Sequence, residues 1–144
     1  MTKPLSNFSY KVLFGVGAFM FTLQSIILLI LLYVGCAESP IEWAVGFSRG
    51  VSGKLGFSAS EPLMIPEMMG KIFVPYSFTV FFFYSTIKRK LLTTRIGVVF
   101  LLLISLASGA PSLIFMIVTY VAFSRHTKDH FQAYQAYKSQ LAST

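Results

Sequence analysis

The sequence predicts an all-α protein: a polytopic bundle of membrane-crossing helices, with an interfacial helix in the first loop and an amphipathic helix at the C-terminus. Three observations predict it. Hydrophobic residues make up 55% of the 144-residue chain and charged residues only 12%, against about 25% charged in a soluble domain. Mean hydropathy is +0.70. The apolar residues gather in long uncharged runs, which suit lipid rather than water. The length fits one domain, so residues 1–144 are read as a single membrane domain with spans at about 12–36, 70–88, 92–109 and 111–126. A polar loop over 37–69 and a tail over 127–144 complete it. This composition excludes disorder, a nucleic-acid-binding tail and an ordinary soluble enzyme.

The first run, Val12 to Cys36, carries no charge. At about 1.5 Å per residue it crosses a ~30 Å hydrocarbon core with some tilt. Tyr10 and Tyr33 lie near its ends, where aromatic belts form. Its last residue is the chain's single cysteine, so an internal disulfide and a Cys-based zinc site are excluded. Leu32 to Cys36 loosely resembles a lipoprotein cleavage site, but Tyr33 fits it poorly and the run is too long for a signal-peptide core. Cys36 is therefore read as a plain membrane-end cysteine.

In the connection that follows, Ser39-Pro40-Ile41-Glu42 fits a capping box with Pro at the first helical position. A short helix carrying Trp43, Val45 and Phe47 is expected there. Gly46, Gly50, Gly53 and Gly56 argue against a long one, and Pro62 and Pro66 break the segment again. An interfacial helix followed by irregular loop is the reading. Gly50-Val51-Ser52-Gly53-Lys54 matches neither a nucleophile elbow nor a P-loop, since Lys54, Leu55 and Ser48 stand where those motifs need other residues. It reads as a flexible connection.

The second run, Ile72 to Ile87, is slightly short and ends in Lys88-Arg89-Lys90, whose side chains can snorkel. The third, Ile96 to Phe123, is interrupted by Ser108-Gly109-Ala110-Pro111-Ser112. It forms either one proline-kinked helix, giving three crossings, or two helices, giving four. Charge separates the alternatives. With three crossings, Lys3, Lys11, Lys88, Arg89, Lys90 and Arg95 face Arg49, Lys54, Lys71, Arg125, Lys128 and Lys138, with no bias between the two sides. With four, the last three join the first six, and four of the five acids share the poorer side. Positive-inside logic favours four crossings with both termini cytoplasmic. Gly109 followed by Pro111 is also the expected stop–start order. In the tail, Phe131, Tyr134, Tyr137 and Leu141 mark an amphipathic helix suited to a membrane surface.

An ionisable residue within a span marks function by default, and the apolar runs 12–36, 72–87 and 96–123 hold no Asp, Glu, Lys, Arg or His. Their deepest polar groups are hydroxyls and Gln24, which supply neither a proton relay nor strong ion ligation. Gln24 can hydrogen-bond across a helix interface. The pairs Ser105 with Gly109, Ser108 with Ser112, and Ala18 with Thr22 allow close backbone approach, within the bundle or with a partner. His126 and His130 share a helical face, but Thr127 stands where a metalloprotease helix has Glu. With no third ligand evident, they read as interfacial imidazoles on a solvated tail. No catalytic residue, cofactor or metal is expected. A membrane enzyme using Glu42, Glu61 and Glu67 is a minor alternative.

Pro75-Tyr76-Ser77 opens a span that ends in Lys88-Arg89-Lys90. A long apolar stretch follows, broken by Ser105-Leu106-Ala107-Ser108-Gly109-Ala110-Pro111 and closed by Arg125. Over residues 72–125 this combination resembles the immunity proteins that protect bacteria against pore-forming colicins. The chain departs from that pattern in a larger loop at 37–70, a shorter one at 88–95 and a longer tail. The resemblance implies a bacterial inner membrane and a physical mechanism, in which the protein meets the toxin's inserted hairpin within the bilayer and keeps the channel from opening. Pro75, Tyr76, Ser77 and the Ser105–Ser112 face, with Ser108, Gly109 and Ser112, are then the expected contacts, alongside Gln24. The expected partners are the lipid bilayer and another inserted membrane protein, a pore-forming toxin or the target of an exclusion-type blocker. An accessory subunit of a larger transporter, respiratory or envelope complex is the alternative.

Overall fold

Six α-helices and no strand are present among the residues that the computed structural model describes, 7–57, 65–107 and 113–142. They are α1 (Phe8–Cys36), α2 (Glu42–Lys54), α3 (Ile65–Ile87), α4 (Leu91–Ala107), α5 (Leu113–Phe123) and α6 (Arg125–Ala142). They fall into two units, one of Met1–Phe21 with Ser77–Thr144 and one of Thr22–Tyr76, so α1 and α3 each contribute to both. Among the described residues, α1 is the one helix both long and apolar enough to cross a membrane. Only 11% of its most apolar stretch is buried.

Asn7 opens α1. Its Oδ1 accepts the Tyr10 N–H at 3.1 Å, the bond expected of an N-cap side chain to the third helical residue. α2 departs from the sequence expectation at both ends. It starts at Glu42 with Ile41 as an extended N-cap that has no side-chain cap bond, so the Ser39 capping box does not form. The Ile41 N–H donates to the Tyr33 hydroxyl at 3.4 Å, and Ser39 stands two residues before the N-cap, too early in the chain to reach the first-turn donors. Nor do the glycines halt the helix. α2 runs through Gly46, Gly50 and Gly53, so residues 50–54 are helical rather than a flexible connection. Its buried face of Ala44, Ser48 and Ser52 shows packing outweighing propensity. The stop comes at Gly56, φ +82. There the Gly56 N–H donates to Gly53 O at 3.3 Å and the Phe57 N–H to Ser52 O at 3.0 Å, a Schellman closure.

α3 begins at Ile65, earlier than the expected 70, which shortens the irregular loop. Pro66 lies in the first turn, where a missing N–H breaks no intrahelical bond. In the 22–76 unit, Leu31, Ile65, Met68 and Ile72 form an aliphatic core. A Cβ on Gly35 would come within 2.9 Å of Ile65 Cγ2, so glycine there permits the approach. Lys71 Nζ donates to Leu55 O at 3.0 Å and lies 4.0 Å above the Phe57 ring.

In the other unit, Leu13, Phe82, Val98, Leu101, Val118, Ala122 and Phe131 form the core. α4 buries Thr94, Gly97, Val98, Leu101 and Ser105, one face at helical spacing. A Cβ on Gly97 would meet Phe82 Cα at 3.1 Å, so α3 and α4 touch backbone to backbone there. α5 packs along α4. Arg95, at the start of α4, donates from Nε to Ala122 O at 3.1 Å, at the end of α5. The chain therefore folds back on itself between α4 and α5, and a single kinked helix is not what forms. α5 ends at Phe123, before the expected 126, because Ser124 caps the next helix. Ser124 Oγ accepts the Thr127 N–H at 3.3 Å and donates to Val121 O at 2.8 Å. The Gly109–Pro111 stop–start signal lies outside the described residues.

Candidate functional site

The polar features of the 77–144 part gather around Arg89. The end of α3 explains why. The Arg89 N–H donates to Thr86 O and the Lys90 N–H to Ser85 O, both at 3.0 Å, the Schellman pattern again. The residue in the left-handed position is usually glycine. Here it is Arg89, φ +51, a conformation costing about 1–2 kcal/mol in an L-residue. Strain of this kind clusters at functional sites.

Arg89 is only 8% exposed, so it is not one of three equivalent snorkelling cations; Lys88 and Lys90 remain exposed. Its guanidinium carbon lies 4.4 Å from the Tyr10 ring centroid and 3.8 Å from that of Tyr134. One tyrosine comes from α1 and the other from α6. Gln135 Nε2 donates to Lys88 O at 3.0 Å and Arg89 O at 3.1 Å, serving carbonyls that the end of α3 leaves without intrahelical partners. Asn7 Nδ2 donates to His126 O at 3.0 Å. The start of α1, the end of α3 and α6 thus converge on one arginine.

His130 belongs to this cluster rather than to a solvated tail. Its ring lies 5.6 Å from that of Tyr10, and Nε2 is buried without a hydrogen-bond partner. Burial first, and the Arg89 charge second, hold its pKa below the ordinary value. The neutral imidazole is the form that suits this site. Arg89 Nε and Nη1 are likewise buried without acceptors. An open surface pocket of about 300 Å³ is lined by Arg89, Lys90, Leu91, Phe131, Gln132 and Gln135. Among the described residues no three His, Cys, Asp or Glu side chains are placed to share a metal ion.

The residues anticipated as partner contacts distribute otherwise. In the 22–76 unit, Ser25 Oγ and Tyr76 Oη share a hydrogen bond at 3.2 Å, linking α1 to α3. Gln24, next to Ser25, has a buried Oε1 without a partner. Pro75 lies inside α3 and is half-buried. Ser77 is exposed, and Ser105 sits on the buried face of α4. Ser108, Gly109 and Ser112 lie outside the described residues, as does Glu61; Glu42 and Glu67 are exposed in the first turns of α2 and α3.

Two threonine hydroxyls are satisfied inside their own helices. Thr86 Oγ1 donates to Phe82 O at 2.9 Å and Thr119 Oγ1 to Phe115 O at 2.7 Å, a pairing that needs no water. The arginine site has a sequence signal that is visible only in combination: a helix-ending Lys-Arg-Lys without glycine, and a tail bearing His130, Phe131 and Tyr134 on one face. No protein-family model, curated protein or solved structure matches this chain.

Proposed function

We propose that this chain is a small bacterial inner-membrane protein that crosses the bilayer four times with both termini cytoplasmic. It acts without catalysis, by helix–helix recognition of another membrane-inserted protein. The specific function we favour is immunity to a pore-forming bacteriocin.

The observation that carries this reading is the location of the large apolar side chains. Along α5, Leu113, Ile114, Met116, Ile117, Tyr120 and Phe123 are all more than half exposed, Tyr120 at 79%. The α4 residues Leu92, Leu103 and Leu106 and the α1 residues Phe19 and Leu29 are similarly open. Meanwhile Thr79, Ser85, Thr86, Thr94 and Ser105 are buried. Apolar surface on this scale needs lipid or a protein partner to cover it. Four crossings draw support from the fold-back between α4 and α5, which gathers Arg89, Lys90, Arg95 and Arg125 with the start of α1. Positive-inside logic places that end in the cytoplasm. α5 alone is roughly 16 Å long at 1.5 Å per residue, so its crossing relies on flanking residues and local bilayer thinning.

The blocking role follows from the colicin-immunity resemblance over residues 72–125 together with these exposed faces. Uncharged helices recognise one another in lipid through packing and interhelical hydrogen bonds. The α5 face is exposed for such packing, while Ser105 is buried on α4.

The test is expression of the full chain in toxin-sensitive cells, followed by challenge with a panel of pore-forming colicins and, as control, a nuclease colicin. Survival against at least one pore-former with unchanged killing by the nuclease is the expected result. Full sensitivity to every pore-former would contradict it. Stoichiometric co-purification of larger membrane subunits in mild detergent would favour the accessory-subunit reading instead.

A further inference from the structure

We propose that the groove between the start of α4 and the end of α5 seats one phospholipid with a net-negative headgroup. Leu92, Arg95, Ile96, Val99 and Phe100 form a single stripe of α4 at helical spacing, and with Phe123 they line an open groove of about 330 Å³. Five of these six side chains are apolar and one is a cation. The stripe from Leu92 to Phe100 is about 12 Å long at 1.5 Å per residue. Phe100, at its inner end, stacks on Phe78 with ring centroids 4.8 Å apart. The cation is held as firmly. Arg95 donates from Nε to Ala122 O at 3.1 Å and from Nη2 to Phe123 O at 3.5 Å, and its guanidinium carbon lies 4.8 Å from the Phe123 ring centroid. Arg95 is half-buried rather than sealed, and it lines the open groove, so a ligand lying there reaches it.

Charge complementarity names the occupant. Residues 77–144 carry seven Lys and Arg against one carboxylate side chain, Asp129, and no groove residue is acidic. The Arg95 end calls for an anion and the rest of the stripe for hydrocarbon. A phospholipid joins the two in one molecule. Its phosphate meets the guanidinium, and an acyl chain covers Ile96, Val99 and Phe100. A free inorganic anion would leave the apolar stripe uncovered, and an uncharged partner helix would leave the cation unmatched. Basic pockets between membrane helices on the cytoplasmic side bind anionic lipid on these terms. Arg95 is already fixed by two carbonyls, so it has less side-chain entropy to lose on binding than a freely snorkelling lysine. The inference rests on the membrane placement proposed above and not on the immunity role.

The test places the full chain in phosphatidylcholine nanodiscs with a rising fraction of phosphatidylglycerol and counts the lipid it retains by native mass spectrometry. Arg95→Gln removes the charge. Ile96→Trp fills the groove and keeps the charge. Lys138→Gln, on an exposed α6 residue outside the groove, makes the same charge change as the first and is the control. The parent chain should retain phosphatidylglycerol over phosphatidylcholine, saturating at one molecule per chain. Arg95→Gln should weaken retention about fivefold, the worth of one basic side chain beside an anionic bilayer. Ile96→Trp should abolish the saturable component, and Lys138→Gln should leave it unchanged. Enrichment that never saturates, or that falls equally in Arg95→Gln and Lys138→Gln, is general surface attraction and overturns the proposal. So does equal retention of the two lipids. Should Arg95→Gln lose helicity, Ile96→Trp decides alone, and saturable retention unchanged in that variant overturns the site. A co-purifying protein that Ile96→Trp releases, without lipid enrichment in the parent, overturns it in favour of a protein occupant. A chain that integrates without enrichment fails this proposal only, whereas one that does not integrate fails the membrane placement as well.

Discussion

α5 and α6 are consecutive helices separated by one serine, yet they are built for different surroundings. α5 exposes Leu113, Ile117 and Tyr120 and buries Val118 and Ala122. α6 exposes Lys128, Asp129, Gln132 and Lys138 and buries Thr127, His130 and Phe131. The outward faces are opposite in polarity, while the inward faces join the same core. The lesson is that the inward face records packing, whereas the outward face records the solvent. On the four-crossing reading proposed above, the solvent changes from lipid to water at Ser124.

The sharpest way to break that comparison is to put a charge on each outward face. Ile117→Arg on α5 should cost about 2.5–3.5 kcal/mol of insertion free energy, read as loss of the membrane-integrated fraction. Ala133→Arg on α6 should change it by less than about 0.5 kcal/mol. Equal behaviour of the two would remove the distinction.

Next in size is the inward face. Gly97→Leu drives a side chain against Phe82 Cα, which is backbone and cannot swing aside. Overpacking of this kind costs about 1–3 kcal/mol, seen as a lowered unfolding temperature in detergent. Gly46→Ala, with nothing within 4 Å of the added Cβ, should instead stabilise α2 by about 0.5–1 kcal/mol.

A smaller effect is expected at the junction itself. Tyr134→Leu removes one face of the arginine sandwich and should loosen α6 by about 0.5–2 kcal/mol, visible as faster amide hydrogen exchange in residues 125–142. Exchange as slow as in the parent would mean that Tyr134 does not hold α6.

The finest probe is pH. His130 is held below its ordinary pKa, so the unfolded chain binds its proton first on acidification. The stabilisation from a neutral His130 is therefore complete above about pH 6.5 and is lost as pH falls through the depressed folded value. Exchange in α6 should quicken over that window, and His130→Gln should flatten the dependence. A response of the opposite sign would mean that protonated His130 has a counter-charge in the folded chain.

The sequence made the helical class and most helix positions legible, because uncharged apolar runs such as Val12–Cys36 have few alternatives to helix. Two kinds of feature escaped it. Helix ends were set by tertiary partners: Tyr33 took the Ile41 N–H and displaced the Ser39 cap, and a buried small-residue face carried α2 through glycines that signal loop. The arginine site escaped for a different reason. Lys88, Arg89 and Lys90 carry the same charge in the sequence, and only the left-handed turn and the tyrosines at positions 10 and 134 single out the middle one. Among the anticipated contacts, the Ser25–Tyr76 bond adjoins Gln24, whereas Ser105 turned inward because α4 needed a small residue facing its own core.

Topology tests the central claim most directly. The chain is fused after Thr144 to a paired reporter, one half fluorescent only in the cytoplasm and the other an alkaline phosphatase active only outside it. Four crossings through α1, α3, α4 and α5 predict a fluorescent fusion without phosphatase activity. An active phosphatase with no fluorescence would put the tail on the far side and contradict the reading of α4 and α5 as two separate crossings.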